Sequence, residues 1–248
     1  MTTELGGFVD ILRGALRDEA DPKHAVREKK FLKSNFDHWG VPVPRVRKLT
    51  QQTLRVFAID DHDEVIEIVE SLWTQPVYEL RLAAVEVLIA RRNTLSVTDM
   101  PLCEAMLRGA RTWALVDPLA INVAGAMALE ATGDDASEFD GYFDRWAVDR
   151  DVWVRRAAVL SQLPLARTPD GDPSRFFGYA DALLEDPRVV IRKAIGQVLR
   201  EMGRRRPEVV YAWLRPRLDR SSGVTMREAV KYLDEAQRDE IVTAFWDR

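Results

Sequence analysis

Three stretches of this chain lie over one another without a gap. YELRLAAVEVL (Tyr78 to Leu88), VWVRRAAVLSQL (Val152 to Leu163) and VVIRKAIGQVL (Val189 to Leu199) align so that Arg81, Arg155 and Arg192 coincide, and so do Ala83, Ala157 and Ala194. The offsets are 74 and 37 residues, which sets a period near 37. A looser copy, TMREAVKYL, carries Arg227 at the basic position. A unit of this length cannot bury its own apolar face, so the copies must stack on one another. Few architectures satisfy that requirement.

Inside each copy, and almost everywhere else, apolar residues recur three and four apart, the helical period. FVDILRGAL, DEVIEIVESLW, LAINVAGAMALEA and REAVKYL show it, while alternating β-branched runs are scarce. Pro44, Pro101, Pro118, Pro187 and Pro207 each fall near the start of such a run, where proline is tolerated. The expected fold is all-α: a single-domain α-solenoid over residues 1–248, with about six HEAT-like two-helix repeats. A stack of this kind curves and leaves a concave surface. The alanine after the basic position lets helices approach closely. The basic position can project from the stack, so several repeats would set a row of cations along one groove. Such a row serves equally to pair with acids of the next repeat or to hold a phosphate backbone.

Bulk charge does not announce a polyanionic partner: the formal net charge is −4. Its distribution is uneven. RVVIRKAIGQVLREMGRRR gathers bases, whereas IDDHDEVIEIVE and EATGDDASEFD gather acids. An uneven surface can bind a polyanion on one side, and solvated helix faces account for the same pattern. No uninterrupted run of eighteen apolar residues occurs, so no membrane partner is expected. The first twenty residues carry acids where a secretory signal carries bases, so a cytoplasmic location is expected. The single cysteine, Cys103, has no partner for a disulfide, and His24, His38 and His62 lie far from it in sequence, so no metal site is expected.

TWALVDPLAINVAG, followed by DVWVRRAAVLSQL and IRKAIGQVLRE, resembles the AlkD-type alkylpurine DNA glycosylases, a family of HEAT-like repeat proteins for DNA alkylation repair. HWGVPVPRVRKL and LWTQPVYELRLAAVEVL fit the same pattern, and the likeness runs from about Phe31 to Tyr232. The resemblance implies a DNA-binding groove and a monofunctional glycosylase that hydrolyses the N-glycosidic bond of N3- or N7-alkylated purines in duplex DNA, with the base left in the stack. It implies a catalytic aspartate at Asp117, a cleft tryptophan at Trp113 and a phosphate-gripping arginine at Arg156. Arg47 and Arg200 match further arginines at the DNA backbone. Lys193 and Gln197 fall on the same helix as Arg200 and are expected at the interface. The partner implied is double-stranded DNA carrying alkylated purines, bound by a monomer.

The implied chemistry needs few groups. A purine alkylated at N3 or N7 is already a cation and departs neutral, so no general acid is required. Positive charge builds on the sugar, and a carboxylate near C1′ stabilises it and orients the attacking water. An indole face adds cation–π attraction. No cofactor is called for. No lysine stands near Asp117 in the sequence to form a Schiff base, which points to hydrolysis without strand cleavage.

Each site residue also has a plainer reading. Asp117 precedes Pro118, and Asp-Pro often starts a helix as N-cap and first turn. Trp113 could be a core aromatic. Arg155 and Arg156 point about 100° apart on a helix. One can enter a groove while the other pairs with an acid, and the resemblance assigns the groove to Arg156. Two departures from the family pattern stand out. Gln197 occupies a position that often holds a second cleft tryptophan, and Ala114 one that often holds an acid. They allow a slower enzyme for small alkylpurines, a more open cleft for bulky adducts of the kind linked to antibiotic self-resistance, or a non-catalytic paralogue that binds DNA or protein. Retention of Trp113, Asp117 and Arg156 together argues against the last.

Overall fold

The computed structural model describes residues 3–247, and no strand forms among them. The chain packs as two compact units, Met1–Leu119 and Ala120–Arg248. The all-α reading and the helical-repeat architecture hold.

The first unit contains α1 (Thr3–Asp18), α2 (Pro22–Leu32), α3 (Val43–Val56), α4 (His62–Trp73), α5 (Tyr78–Ala90), α6 (Met100–Ala110) and α7 (Trp113–Pro118). Short polar side chains start several of them, since a carboxylate at the N-cap satisfies first-turn N–H groups. Asp21 accepts from the N–H groups of Lys23 and His24, and Asp61 from those of Asp63 and Glu64. Helix α5 is the hub. From Tyr78 to Leu88 every residue except Arg81 is buried, and the helix packs on both α3 and α4. A helix buried on all sides must place its polar atoms with care. Glu79 does so by accepting, through Oε1, from the N–H groups of Trp39, Gly40 and Val41. Gly40 sits there at φ +83°, where a Cβ would fall 2.2 Å from the Asp21 carbonyl, so no other residue fits.

The second unit contains α8 (Gly125–Glu130), α9 (Gly133–Ala147), α10 (Val152–Leu160), α11 (Leu163–Ala166), α12 (Ser174–Leu183), α13 (Val189–Gly203), α14 (Pro207–Leu214), α15 (Gly223–Ala229) and α16 (Glu235–Trp246). Helix α10 packs on α9 and α13, and α13 packs in turn on α15. Asp151 caps α10 through the Trp153 N–H at 2.7 Å.

Helices α5, α10 and α13 begin at Tyr78, Val152 and Val189, one and the same repeat position. Stepping 37 residues from Ala83 gives Ala120, then Ala157 and Ala194, all buried. A fourth copy therefore lies around residue 120. It escapes alignment because its helix starts two residues early, at Trp113, and because Pro118 replaces the repeat arginine.

The arginines at that position have a visible job. Arg81 donates to the carbonyl of Gln75, six residues back, and to that of Gly109, with its guanidinium over the Phe36 and Trp73 rings. Arg155 repeats the first contact on the carbonyl of Asp149 and pairs with the carboxylate of Asp186 at 3.0 Å. Each ties the turn before its own helix to a following one. Arg227, in the looser copy, is exposed.

Asp117 and Pro118 do not start a helix. They lie at the end of α7, which continues through a π-helical segment, Leu119–Ala124, into α8. Pro118 has no N–H for the carbonyl four residues back, and its ring crowds that carbonyl. Widening to the π spacing is a known way for a helix to absorb such an interruption. The boundary between the two units falls within this segment, after Leu119. By length and mean hydropathy of 1.2, Trp113–Glu130 would also reach across a membrane. Asp117 interrupts it, and Leu115, Val116, Leu119, Ala120, Val123 and Ala124 are buried, which explains its apolar character as that of a core helix.

Candidate functional site

Trp113 and Asp117 stand one turn apart on α7, so they share a face. Trp113 is 39% exposed and is not a core aromatic. Its ring meets Phe31 of α2 edge to face, with centroids 5.9 Å apart and planes at 86°. Asp117 is half-buried. Its register is more telling than its exposure. At steps of 37 residues the equivalent positions hold Leu80, Val154 and Ile191, all buried. The repeat wants an aliphatic side chain here, and burying a carboxylate in its place carries a cost. A helix-start role would not need that position, and the structure does not give Asp117 one.

Arg47, on α3, forms a two-pronged pair with Glu86 of α5, at 2.9 and 3.0 Å. The Glu86 side chain is only 2% exposed, whereas that of Arg47 is 51% exposed. The hydrogen bonds to Glu86, then its charge, hold the Arg47 guanidinium further above its ordinary range. Arg47 is thus the counter-ion of a buried carboxylate that still shows one side to solvent.

In the second unit Arg156 is buried, 5% exposed, and donates to the Val190 carbonyl in the first turn of α13. Its register explains the burial, for the equivalent positions hold Leu82 and Leu119, both buried, while Lys193 in the next copy is exposed. The pair Arg155–Arg156 therefore divides into a carboxylate-bound cation and a deeper one bound to backbone. Lys193, Gln197 and Arg200 succeed one another along one face of α13. Lys193 is exposed and Gln197 half-buried. Arg200 pairs with Glu228 at 2.8 Å and Glu201 at 3.4 Å.

Among the described residues one group of possible metal ligands comes together: Glu28, His38 and Glu79 bring one ligand atom each to within 4.8 Å of the others. The contacts made there are structural. His38 stacks on Tyr78 and bonds Glu28 through Nδ1 at 2.9 Å, and Glu79 closes the loop before α3. HWGVPVPRVRKL is thereby explained as the joint between α2, α3 and α5. Two features escaped sequence reasoning. The aliphatic register of Asp117 was legible had the fourth copy been aligned. The approach of Phe31 to Trp113 had no local signal, since 82 residues separate them.

Residues 12–233 match the family described as DNA alkylation repair enzyme. Among solved structures, a predicted DNA alkylation repair enzyme from Enterococcus faecalis is similar, with a TM-score of 0.76 and 20% identity, covering 88% of this chain and 98% of that one. AlkD2 from Streptococcus mutans is similar with a TM-score of 0.60 and 17% identity, covering 86% and 98%. A search of curated proteins finds no match. These structural likenesses show the fold, and the family match covers most of the sequence: the chain belongs to the DNA alkylation repair enzyme family.

Proposed function

We propose that this protein is a monofunctional DNA glycosylase that releases cationic N3- or N7-alkylated purines from duplex DNA. The observation that carries the reading is Asp117, a carboxylate at a repeat position that otherwise holds Leu80, Val154 and Ile191, one turn from an exposed indole. In the reaction, the bond between C1′ and the purine nitrogen breaks, and its electron pair leaves with the base, which becomes neutral. Asp117 stabilises the positive charge left on the sugar and orients the water that attacks C1′. The water oxygen bonds to C1′, its surplus proton passes to bulk water, and the abasic site is complete. Trp113 lays its π face against the cationic nucleotide. The concave groove expected of the repeats takes the duplex, with the base left stacked. Lys193, exposed on α13, contacts the backbone, and Gln197 lies beside it. Arg47 and Arg200 reach phosphate with the donors their carboxylates leave over, and Arg156 acts from a buried place against α13. The protein works as a monomer in the cytoplasm.

Purified protein should release 3-methyladenine and 7-methylguanine from methylated DNA. Asp117→Asn should slow single-turnover release by about 10²-fold or more, the usual loss when one electrostatic stabiliser is removed. Unchanged release in that variant would remove Asp117 from the mechanism. A second reading, a protein that binds DNA structures without cutting glycosidic bonds, is favoured by Gln197, which stands where a second cleft tryptophan is expected. Absence of release by the wild type, from small and bulky adducts alike, would select it.

A further inference from the structure

Glu79 and Glu86 stand two turns apart on α5, and both are buried. A buried carboxylate without a counter-ion is costly. Glu86 has Arg47. Glu79 has no cation at ion-pair distance among the described residues. Its Oε1 accepts from the N–H groups of Trp39, Gly40 and Val41, but its Oε2 is buried with no hydrogen-bond partner. His38 and Glu28 lie beside it, one ligand atom of each residue within 4.8 Å of the others. The His38 side chain is 1% exposed and that of Glu28 11%. Nδ1 of His38 bonds Glu28 Oε2 at 2.9 Å, while its Nε2, like Glu79 Oε2, is buried without a partner. The ring stacks on Tyr78, with planes at 15°, which fixes its orientation. Burial, then the charges of Glu28 and Glu79, holds the Tyr78 hydroxyl above its ordinary range. Two unsatisfied buried atoms in one cluster of three residues point to a shared partner, since such groups are otherwise rare.

We infer that Glu28, His38 and Glu79 form a site for one zinc ion, which clips α2 and the loop after it to α5. Charge decides between the partners that could serve. Two carboxylates and a neutral imidazole sum to −2, which a divalent cation matches. A proton on His38 leaves one negative charge uncompensated, and a water molecule supplies donors but no charge. The donor set decides among cations. Imidazole with carboxylates suits zinc, whereas magnesium and calcium take oxygen ligands. Carboxylate and imidazole ligands stand about 2.0 to 2.2 Å from zinc, so three atoms this close can share one ion after small side-chain rotations. Glu79 can ligate through Oε2 without giving up the backbone bonds of Oε1. The three ligands come from α2, the α2–α3 loop and α5, so the ion would fix a joint and take no part in bond breaking. The expectation of no metal site came from the isolation of Cys103, and this cluster uses no thiol. It does not depend on the glycosylase reading.

The test strips the full chain with EDTA and titrates it with Zn²⁺ in competition with a chromophoric chelator. Wild type should take up one zinc per chain. Its thermal midpoint should rise by about 5 to 10 °C when free zinc is about 100 times the dissociation constant. Two variants remove a ligand while keeping the local shape. Glu28→Gln can still hydrogen-bond His38, and His38→Phe keeps a ring against Tyr78. Each should weaken zinc binding by about 100-fold or more, beyond the loss usual for residues that only support a ligand. In EDTA the midpoints of wild type and Glu28→Gln should agree, which separates loss of a ligand from misfolding. Stripped wild type loaded with Co²⁺ should show visible absorption that His38→Phe abolishes. Zinc content and midpoint are read whether or not the protein releases bases, so failure of the glycosylase reading leaves this result standing. No uptake and no midpoint shift in wild type would make His38 a protonated link between two carboxylates and overturn the site. Wild-type zinc affinity in both variants would place the ion elsewhere, at an exposed histidine such as His62, and overturn it as well. So would an equal midpoint shift from Mg²⁺, which would show an ion held by carboxylates without the imidazole.

Discussion

Asp117, on which the proposed function rests, stands at a repeat position built for an aliphatic side chain. Its register partners Leu80, Val154 and Ile191 are buried aliphatics, so a half-buried carboxylate there carries a desolvation cost that an aliphatic side chain would not. Asp117→Leu should therefore abolish base release and raise unfolding stability by about 1 kcal/mol in urea denaturation, the usual trade between activity and stability. A destabilised variant would show that the carboxylate also holds the structure. Arg47 presents the opposite case. Its pair with Glu86 leaves a buried anion behind when broken, so Arg47→Ala should cost about 2 kcal/mol of stability, the partial exposure of the arginine moderating the loss. Arg47→Ala combined with Glu86→Leu should recover most of it, because no orphaned charge remains. Equal instability of both variants would assign the loss to packing of the arginine stem. Gln197 and Lys193 were legible as surface positions of a helix face. Arg156 was not legible as buried, because nothing local distinguishes a solvent-facing arginine from one bonded to a carbonyl 34 residues on.

At the scale of elements, the repeat helices followed from the apolar period, and the alignment of Arg81 with Arg155 anticipated their shared contact to the carbonyl six residues back. The helix from Trp113 to Glu130 did not follow. Asp-Pro reads locally as a helix start, yet here the dipeptide lies inside a helical run that passes through a π segment. Tertiary burial of Leu115, Val116, Leu119 and Ala120 overrides the preference of a single proline. Pro118→Ala would restore an N–H to the chain and remove the cause of the widening. It should raise stability by about 1 to 3 kcal/mol and reduce base release, because the last turn of α7, which carries Asp117, would re-form with regular α spacing. Denaturation and single-turnover release on one preparation check both halves, and release at the wild-type rate would free the π segment from any role in positioning Asp117.

For the whole molecule, the net charge of −4 conceals how the cations are used. Many arginines, Arg155, Arg175, Arg200, Arg215, Arg217 and Arg220 among them, are paired with acids and lace helices together. Such cations contribute little counter-ion release. Affinity for duplex DNA should therefore fall with salt on a log–log slope of about −3, far short of a slope that counts every arginine. A slope steeper than about −6 would mean that the paired arginines leave their acids to meet phosphate.

The sequence by itself determined the all-α class, the 37-residue period and the family, because helical periodicity and motif order are properties of neighbours along the chain. Only the tertiary structure decided which arginines are bound to carboxylates, which one is buried against backbone, and which aromatic stands beside Trp113. Several of those outcomes join residues far apart in the chain, 28 positions for Arg200 with Glu228 and 82 for Phe31 with Trp113. They depend on how helices pack, and packing of one helix against the next leaves no trace in the period of either.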